Sequence, residues 1–300
     1  MKRITPVLAL TLVALPLCAA AAPQSPAKVR PPAQIIAEAP ATDWRRADPD
    51  NTLYIDTPRG RVIVELAAAF APKHVANIKA LAREHFYDGL SFYRVVDGFV
   101  AQGGDESGEK PIEHGARALP AEFTHKQLFD GTFTPLPDRD GYAPQTGFVH
   151  GFPAARDPNA GISWLTHCPA AFAMARELDV DSGGTEFYIV IGNAQRYLDR
   201  NTTVFGRVLD GMAALQKLQR GNEAMGMLKH PEENQITRIQ VAGDLPAEER
   251  TPLEVLKTDS DSFKELIAAR RHRPESWFVA RPDYIDVCSV GVPTRQIPTE

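Results

Sequence analysis

The sequence predicts a mostly β fold: a closed antiparallel β-barrel capped by two helices, with a long loop insertion and a C-terminal extension. Two observations lead there. Short strand-like runs recur between turn-rich segments from residue 51 to about 243. Within that span, helical periodicity is confined to two well-separated stretches. Strands in this number with two helices set apart fit a closed barrel plugged at its ends.

Folded structure is expected to begin at Leu53-Tyr54-Ile55-Asp56-Thr57, which a turn at Pro58-Arg59-Gly60 joins to Arg61-Val62-Ile63-Val64-Glu65-Leu66 as a hairpin. Pro72 suits the first turn of a helix whose apolar face is Val75, Ile78, Leu81 and Ala82. The next strand is the run Phe92 to Gln102. From Asp105 to about Pro169 the pattern loosens into Gly, Pro and Asp, and residues 132–164 read as an inserted loop. Regular structure resumes at Ala170 to Arg176. Strands follow at Glu186 to Ile191 and Thr203 to Val208, then a helix over 211–220 carrying Met212, Leu215 and Leu218, then a last strand from Ile236 to Val241. In the tail, Ser262-Phe263-Lys264-Glu265 reads as a capping box opening a helix through Arg271, and Tyr284 to Cys288 as a short strand.

The ends read differently. Lys2 and Arg3 precede a largely apolar segment from Val7 to Ala22 that closes on Ala19-Ala20-Ala21-Ala22, the make-up of a cleaved export signal over 1–22. A periplasmic or secreted location is expected, with lipid anchoring through Cys18 as the lesser alternative. Residues 23–50 are rich in Pro and Ala and read as an extended lead-in. The main domain then spans 51–243, and 244–300 is an extension expected to pack on the barrel. Without Lys2 and Arg3 the formal charge moves from −5 to −7, the wrong sign for a nucleic-acid binder. No segment is expected to insert stably in a membrane. Cys168 and Cys288 would remain; an oxidising compartment permits their pairing, and separate buried thiols are equally open.

The most informative stretch is Phe92-Tyr93-Arg94-Val95-Val96-Asp97-Gly98-Phe99-Val100-Ala101-Gln102-Gly103-Gly104-Asp105. It sets one arginine, one phenylalanine and one glutamine on an apolar backbone. Apolar surface with a few placed polar groups is how a peptide or small-ligand groove is built. The run resembles the active-site strand of the cyclophilin peptidyl-prolyl isomerases, F-(H/Y)-R-(I/V)-x-x-G-F-x-x-Q-G-G-D, nearly without a gap. Ala173-Met174-Ala175-Arg176 resembles the family's substrate-pairing segment in the form common among exported bacterial members. Gly184-Thr185-Glu186-Phe187-Tyr188-Ile189 is similar to G-S-Q-F-F-I, and Tyr197-Leu198-Asp199 to W-L-D.

The resemblance covers roughly 51–243. It implies a cyclophilin-like barrel and a peptidyl-prolyl cis-trans isomerase that works on proline-containing unfolded or folding polypeptides as a monomer, without a cofactor or metal. It assigns Arg94 as the catalytic donor, whose competing use is a surface ion pair with a neighbour such as Asp97. Phe99 lines the proline pocket and Gln102 orients the arginine. Val100 stands where many relatives carry a larger methionine. Met174, Ala175 and Arg176 would bind the substrate backbone, with the main-chain groups of Ala175 and Arg176 pairing by strand addition. Glu186 replaces a glutamine and brings a charge that, paired with Arg94, would compete with substrate. Tyr188 replaces a pocket phenylalanine and brings a hydroxyl in need of a partner. Tyr197 replaces a tryptophan, Leu198 closes the pocket, and Thr202 falls where many members have histidine. A second reading is a proline-peptide-binding chaperone or scaffold that uses the same groove with little catalysis.

Elsewhere the histidines show no zinc spacing, and His150 and His167 read as loop residues at the surface. Asp138, Asp140 and Gly141 hint at a calcium loop, but the other ligand positions are missing and a turn is expected.

Overall fold

The computed structural model describes residues 29–297. Its first elements are α1 (Pro32–Glu38), β1 (Trp44–Arg46), β2 (Thr52–Thr57), β3 (Gly60–Leu66), α2 (Pro72–Arg83), β4 (Ser91–Val95) and β5 (Val100–Gly104). Four strands follow in the insertion: β6 (Phe133–Pro135), β7 (Gln145–Val149), β8 (Phe152–Asp157) and β9 (Ile162–Leu165). Then come β10 (Ala171–Met174), β11 (Phe187–Val190), β12 (Val204–Asp210), α3 (Met212–Gln216) and β13 (Arg238–Val241). The tail holds β14 (Leu253–Leu256), α4 (Asp261–His272), α5 (Val287–Val290) and β15 (Thr294–Gln296). The export-signal reading of residues 1–22, Cys18 included, lies outside the described residues.

The main sheet has eight antiparallel strands in the order β13-β2-β3-β12-β10-β11-β5-β4. Its two end strands do not pair with each other, so the expected closed barrel is corrected to an open, curled half-barrel. The chain leading into β13 covers the β4 side: Gly89 N–H donates to the Ile236 carbonyl, Ile236 N–H to that of Leu90, and Leu228 N–H to that of Tyr93. Short 3₁₀ turns at Ala224–Gly226 and Pro231–Asn234 interrupt this segment, so it shields an edge without extending the ladder.

Strand alternation divides the sheet into two faces. Val95, Ala101, Phe172 and Ile189 face the main core, where α2 contributes Val75, Ile78 and Leu81, and α3 contributes Leu215. Val100, Ala173, Tyr188 and Val190 face the other way, into a second apolar cluster.

Three expectations about the surroundings are corrected. Residues 132–164 form a four-stranded antiparallel sheet, β6-β7-β8-β9, where a loop was expected. The lead-in is ordered from residue 29: β1 pairs with β14, and β14 with β15, in a three-stranded sheet of lead-in and tail. In the tail, α4 is capped by Ser260, whose hydroxyl accepts from Phe263 N–H, and the segment read as a strand holds α5.

A single apolar cluster joins these additions. It gathers Ile35 and Trp44 of the lead-in, Phe148 of the insertion, and Leu256, Phe263 and Val287 of the tail. Cys168 and Cys288 are joined as a disulfide, tying the tail to the segment ahead of β10.

Candidate active site

The Asp97-Gly98 step sets the geometry here. The run expected as one strand from Phe92 to Gln102 folds back on itself: β4 and β5 are antiparallel partners, and Gly98 between them has φ 67°. Asp-Gly pairs tolerate the left-handed backbone that such turns require. The fold-back sets Arg94 directly opposite Gln102. On the far side of β5, Tyr188 of β11 is opposite Gln102, and Ala173 of β10 is opposite Tyr188. Directly opposed residues share a face, so Ala173, Tyr188, Gln102 and Arg94 form one row across four strands.

Arg94 is half-buried at the end of that row. Its Nη1 donates to Gln102 Oε1 at 3.0 Å and its Nε to the Met225 carbonyl at 2.8 Å. The guanidinium carbon lies 5.7 Å from the Phe99 ring centroid, within cation–π range. Asp97 is paired instead with Arg220 at 3.0 Å, so the competing ion pair does not form. Among the described residues, Arg94 Nη2 donates to no protein acceptor.

Gln102 relays this arrangement. Its Oε1 accepts from Arg94, while its Nε2 donates to Glu186 Oε2 at 3.2 Å and also to the Tyr93 hydroxyl. The Tyr93 hydroxyl in turn donates to Glu186. Burial first, and the bond to Glu186 second, push the Tyr93 hydroxyl well above its ordinary range, so it stays protonated. The expected Glu186–Arg94 pair is corrected: the carboxylate is engaged by Tyr93 and Gln102. A close approach brings Glu186 there. At Gly104, with φ 129°, a Cβ would lie 2.6 Å from the Thr185 carbonyl oxygen.

Phe99, Val100, Ala175, Tyr188 and Leu198 belong to one apolar cluster on this face. Val100 is 2% exposed and forms buried wall; Phe99 and Leu198 are half-buried at its border. Tyr197, by contrast, is 58% exposed. Burial raises the Tyr188 hydroxyl above its ordinary range. That hydroxyl is bonded to Thr202 Oγ1 and to His167 Nε2, the latter at 2.9 Å. His167 is fully buried, which corrects its expected surface role; His150 is exposed.

Met174 is buried behind the groove. Ala175 N–H donates to the Glu186 carbonyl at 2.8 Å, so of the two expected backbone anchors its amide is already used. Among the described residues, neither the N–H nor the C=O of Arg176 has a backbone partner. The Arg176 side chain is turned to the Asn201 carbonyl at 2.8 Å. A cleft of about 60 Å³ lined by Gln102, Ala175, Arg176, Gly184 and Glu186 opens beside the row. The acidic residues that hinted at a calcium loop are engaged by arginines, Asp138 by Arg271 and Asp140 by Arg196.

Sequence reasoning missed three contributors. Tyr93 was within the motif, but strict alternation turns it away from Arg94; a register shift between Ser91 and Arg94 lets both reach Gln102. Met225 contributes only a carbonyl, which leaves no mark on side-chain patterns. His167 lay outside every motif, and no spacing pointed to it.

The chain is similar to known proteins over most of its length. A sequence profile of the family described as cyclophilin type peptidyl-prolyl cis-trans isomerase/CLD matches residues 52–241. A protein of Brucella suis described as a probable peptidyl-prolyl cis-trans isomerase is 31% identical over 198 residues, 62% of this chain and 81% of the relative. A peptidyl-prolyl cis-trans isomerase of Helicobacter pylori is 30% identical over 170 residues, 56% of this chain and 80% of the relative. The crystal structure of cyclophilin AquaCyp293 from Hirschia baltica superposes with a TM-score of 0.70 at 30% identity, covering 86% of this chain and 94% of that one. That coverage exceeds the stretch matched by the family profile, so the likeness extends into the additions. The chain belongs to the cyclophilin-type peptidyl-prolyl cis-trans isomerases and is an enzyme of that class.

Proposed function

We propose that this isomerase accelerates X–Pro rotation in exported polypeptides, and does so without covalent chemistry. Rotation about an amide faces a barrier of roughly 18–20 kcal/mol because the C–N bond has partial double-bond character. In the twisted transition state the nitrogen lone pair is no longer delocalised and becomes a hydrogen-bond acceptor. A donor aimed there, an apolar seat for the ring and anchors for the flanking backbone favour that state over the planar one.

One observation carries the reading. The Arg94 guanidinium is held at Nε and Nη1 above the Phe99 ring, with Nη2 left over to donate. Phe99, Val100, Tyr188 and Leu198 would seat the ring, and the Arg176 backbone would pair with the residues before it. A charge-assisted hydrogen bond is worth roughly 1.5–3 kcal/mol. Arg94 alone therefore accounts for about a hundredfold at most, and positioning supplies the rest.

The exported location rests on Lys2, Arg3 and the apolar segment that follows. The Cys168–Cys288 disulfide supports it, since such bonds persist in oxidising compartments. Among the described residues no helix is long and apolar enough to cross a membrane.

Magnetisation-exchange NMR on a proline-containing peptide tests the mechanism, because it reads binding and turnover in one sample. Wild-type protein should speed exchange and the Arg94→Ala variant should largely lose that effect. Unchanged exchange in the variant would remove Arg94 from the mechanism. Binding by wild type with no acceleration would leave a peptide-binding groove.

A further inference from the structure

We propose that His167 is the positioning residue of the proline pocket, and that it supplies from outside the motifs the imidazole that Thr202 does not. The idea deepens the isomerase mechanism above and rests on it.

Tyr188 and Thr202 each put a hydroxyl where an apolar ring or an imidazole would be expected by resemblance. A buried hydroxyl without a partner is costly and disturbs an apolar pocket. Both converge on one atom. His167 Nε2 lies 2.9 Å from the Tyr188 hydroxyl and 3.0 Å from Thr202 Oγ1, and the two hydroxyls are bonded to each other. The His167 and Tyr188 rings are stacked at 17°, with centroids 6.2 Å apart.

The ring's other nitrogen fixes its proton. His167 Nδ1 lies 3.1 Å from Asp199 Oδ1. Burial opposes charge on Asp199, but the bonds from His167 and the charge of Arg196 outweigh it and hold the carboxyl below its ordinary range. A carboxylate only accepts, so Nδ1 donates to it, and in the arrangement proposed Nε2 accepts from the hydroxyls. One hydroxyl donates to Nε2 and the other donates to the first. With its oxygen engaged there, Tyr188 offers ring carbons to the pocket, as a phenylalanine would.

The support continues into the insertion. Asp199 Oδ2 accepts from Arg196 Nε at 2.7 Å, and Arg196 donates to both oxygens of Asp140 at 2.8 and 3.0 Å. The side chains of Asp140, Arg196, Asp199 and His167 are all at least nine-tenths buried. The inserted segment thus braces the histidine that braces the pocket.

A double-mutant cycle tests this. kcat/KM on a proline peptide is compared for His167→Leu in the wild-type background and in a Tyr188→Phe background. The Leu substitution should lower kcat/KM about tenfold in the first, the size of one net hydrogen bond, and less than threefold in the second, where the hydroxyl it orients is gone. An equal loss in both backgrounds, or no loss in either, would overturn the proposal. A second readout needs no activity: the ¹⁵N spectrum of the wild-type ring should show the Nδ1–H tautomer, with Nε2 shifting in Tyr188→Phe. The Nε2–H tautomer would overturn it even if the Leu variant fails to fold. If wild type shows no catalysis, the isomerase mechanism fails while the tautomer still decides the role of His167.

Discussion

Arg94 and Gln102 face each other across the β4–β5 ladder, and the guanidinium donates to the amide oxygen at 3.0 Å. That bond fixes the amide's orientation: with Oε1 toward Arg94, Nε2 must point to Glu186. The carboxylate introduced at position 186 is thereby separated from the arginine by a neutral relay. A charge that could have paired with Arg94 is instead held by Gln102 and Tyr93.

Arg94→Ala should lower kcat/KM by roughly 10- to 100-fold, the rate equivalent of a charge-assisted hydrogen bond. Arg94→Lys should restore little. An ammonium lacks the planar fork needed to hold Gln102 and Met225 while donating onward. Kinetics of the Lys variant near wild type would count against the fork geometry.

Gly98→Ala isolates the turn. A Cβ at this position meets no atom within 4 Å, so the penalty is backbone strain alone at φ 67°. The expected cost is about 1–2 kcal/mol in a urea titration. A variant as stable as wild type would show that the turn carries little of the hairpin's order.

Replacing both Cys168 and Cys288 by serine removes a cross-link spanning 120 residues. Chain-entropy arguments put its contribution at about 5 kcal/mol. Thermal unfolding with and without reductant reads this directly: wild type should lose stability on reduction and the double variant should not respond.

Asp199 predicts an acid limb. Its folded-state pKa lies below the ordinary 3.8, so its ionised form stabilises the fold. That contribution is complete above the ordinary value and drains away as pH falls through the lowered one. Other carboxylates with lowered values, such as Asp56 and Glu122, act in the same sense. The comparison is therefore between wild type and Asp199→Asn. Between pH 7 and 2, the melting temperature of wild type should fall more steeply. Parallel curves would show that Asp199 is not coupled to folding.

The sequence carried the site further than its surroundings. Arg94, Gln102 and Tyr188 could be named because short motifs recorded them, and the fold set them in one row. The hairpin between Arg94 and Gln102 was harder, since apolar residues on both sides of Asp97-Gly98 read as one continuous strand. The insertion was hidden by its turn residues. Its central hairpin turns at His150-Gly151, both at positive φ, amid proline and glycine that suggested a loop. Trp44 looked like part of a structureless lead-in because its partner, Leu256, lies far along the chain. Local periodicity carries no trace of such a pairing.

The small sheet made by β1, β14 and β15 has a mechanical consequence. β1 and β15 flank the same central strand, so a pull on the C-terminal end loads β15 against β14 at once, whereas a pull on the N-terminal end must first lift α1, whose Ile35 is packed in one cluster with Phe263 of α4. The half-barrel shares the C-terminal load, since Thr294 of β15 donates to the Leu209 carbonyl of β12, and Leu253 and Val255 of β14 pack with Tyr54 and Ile63.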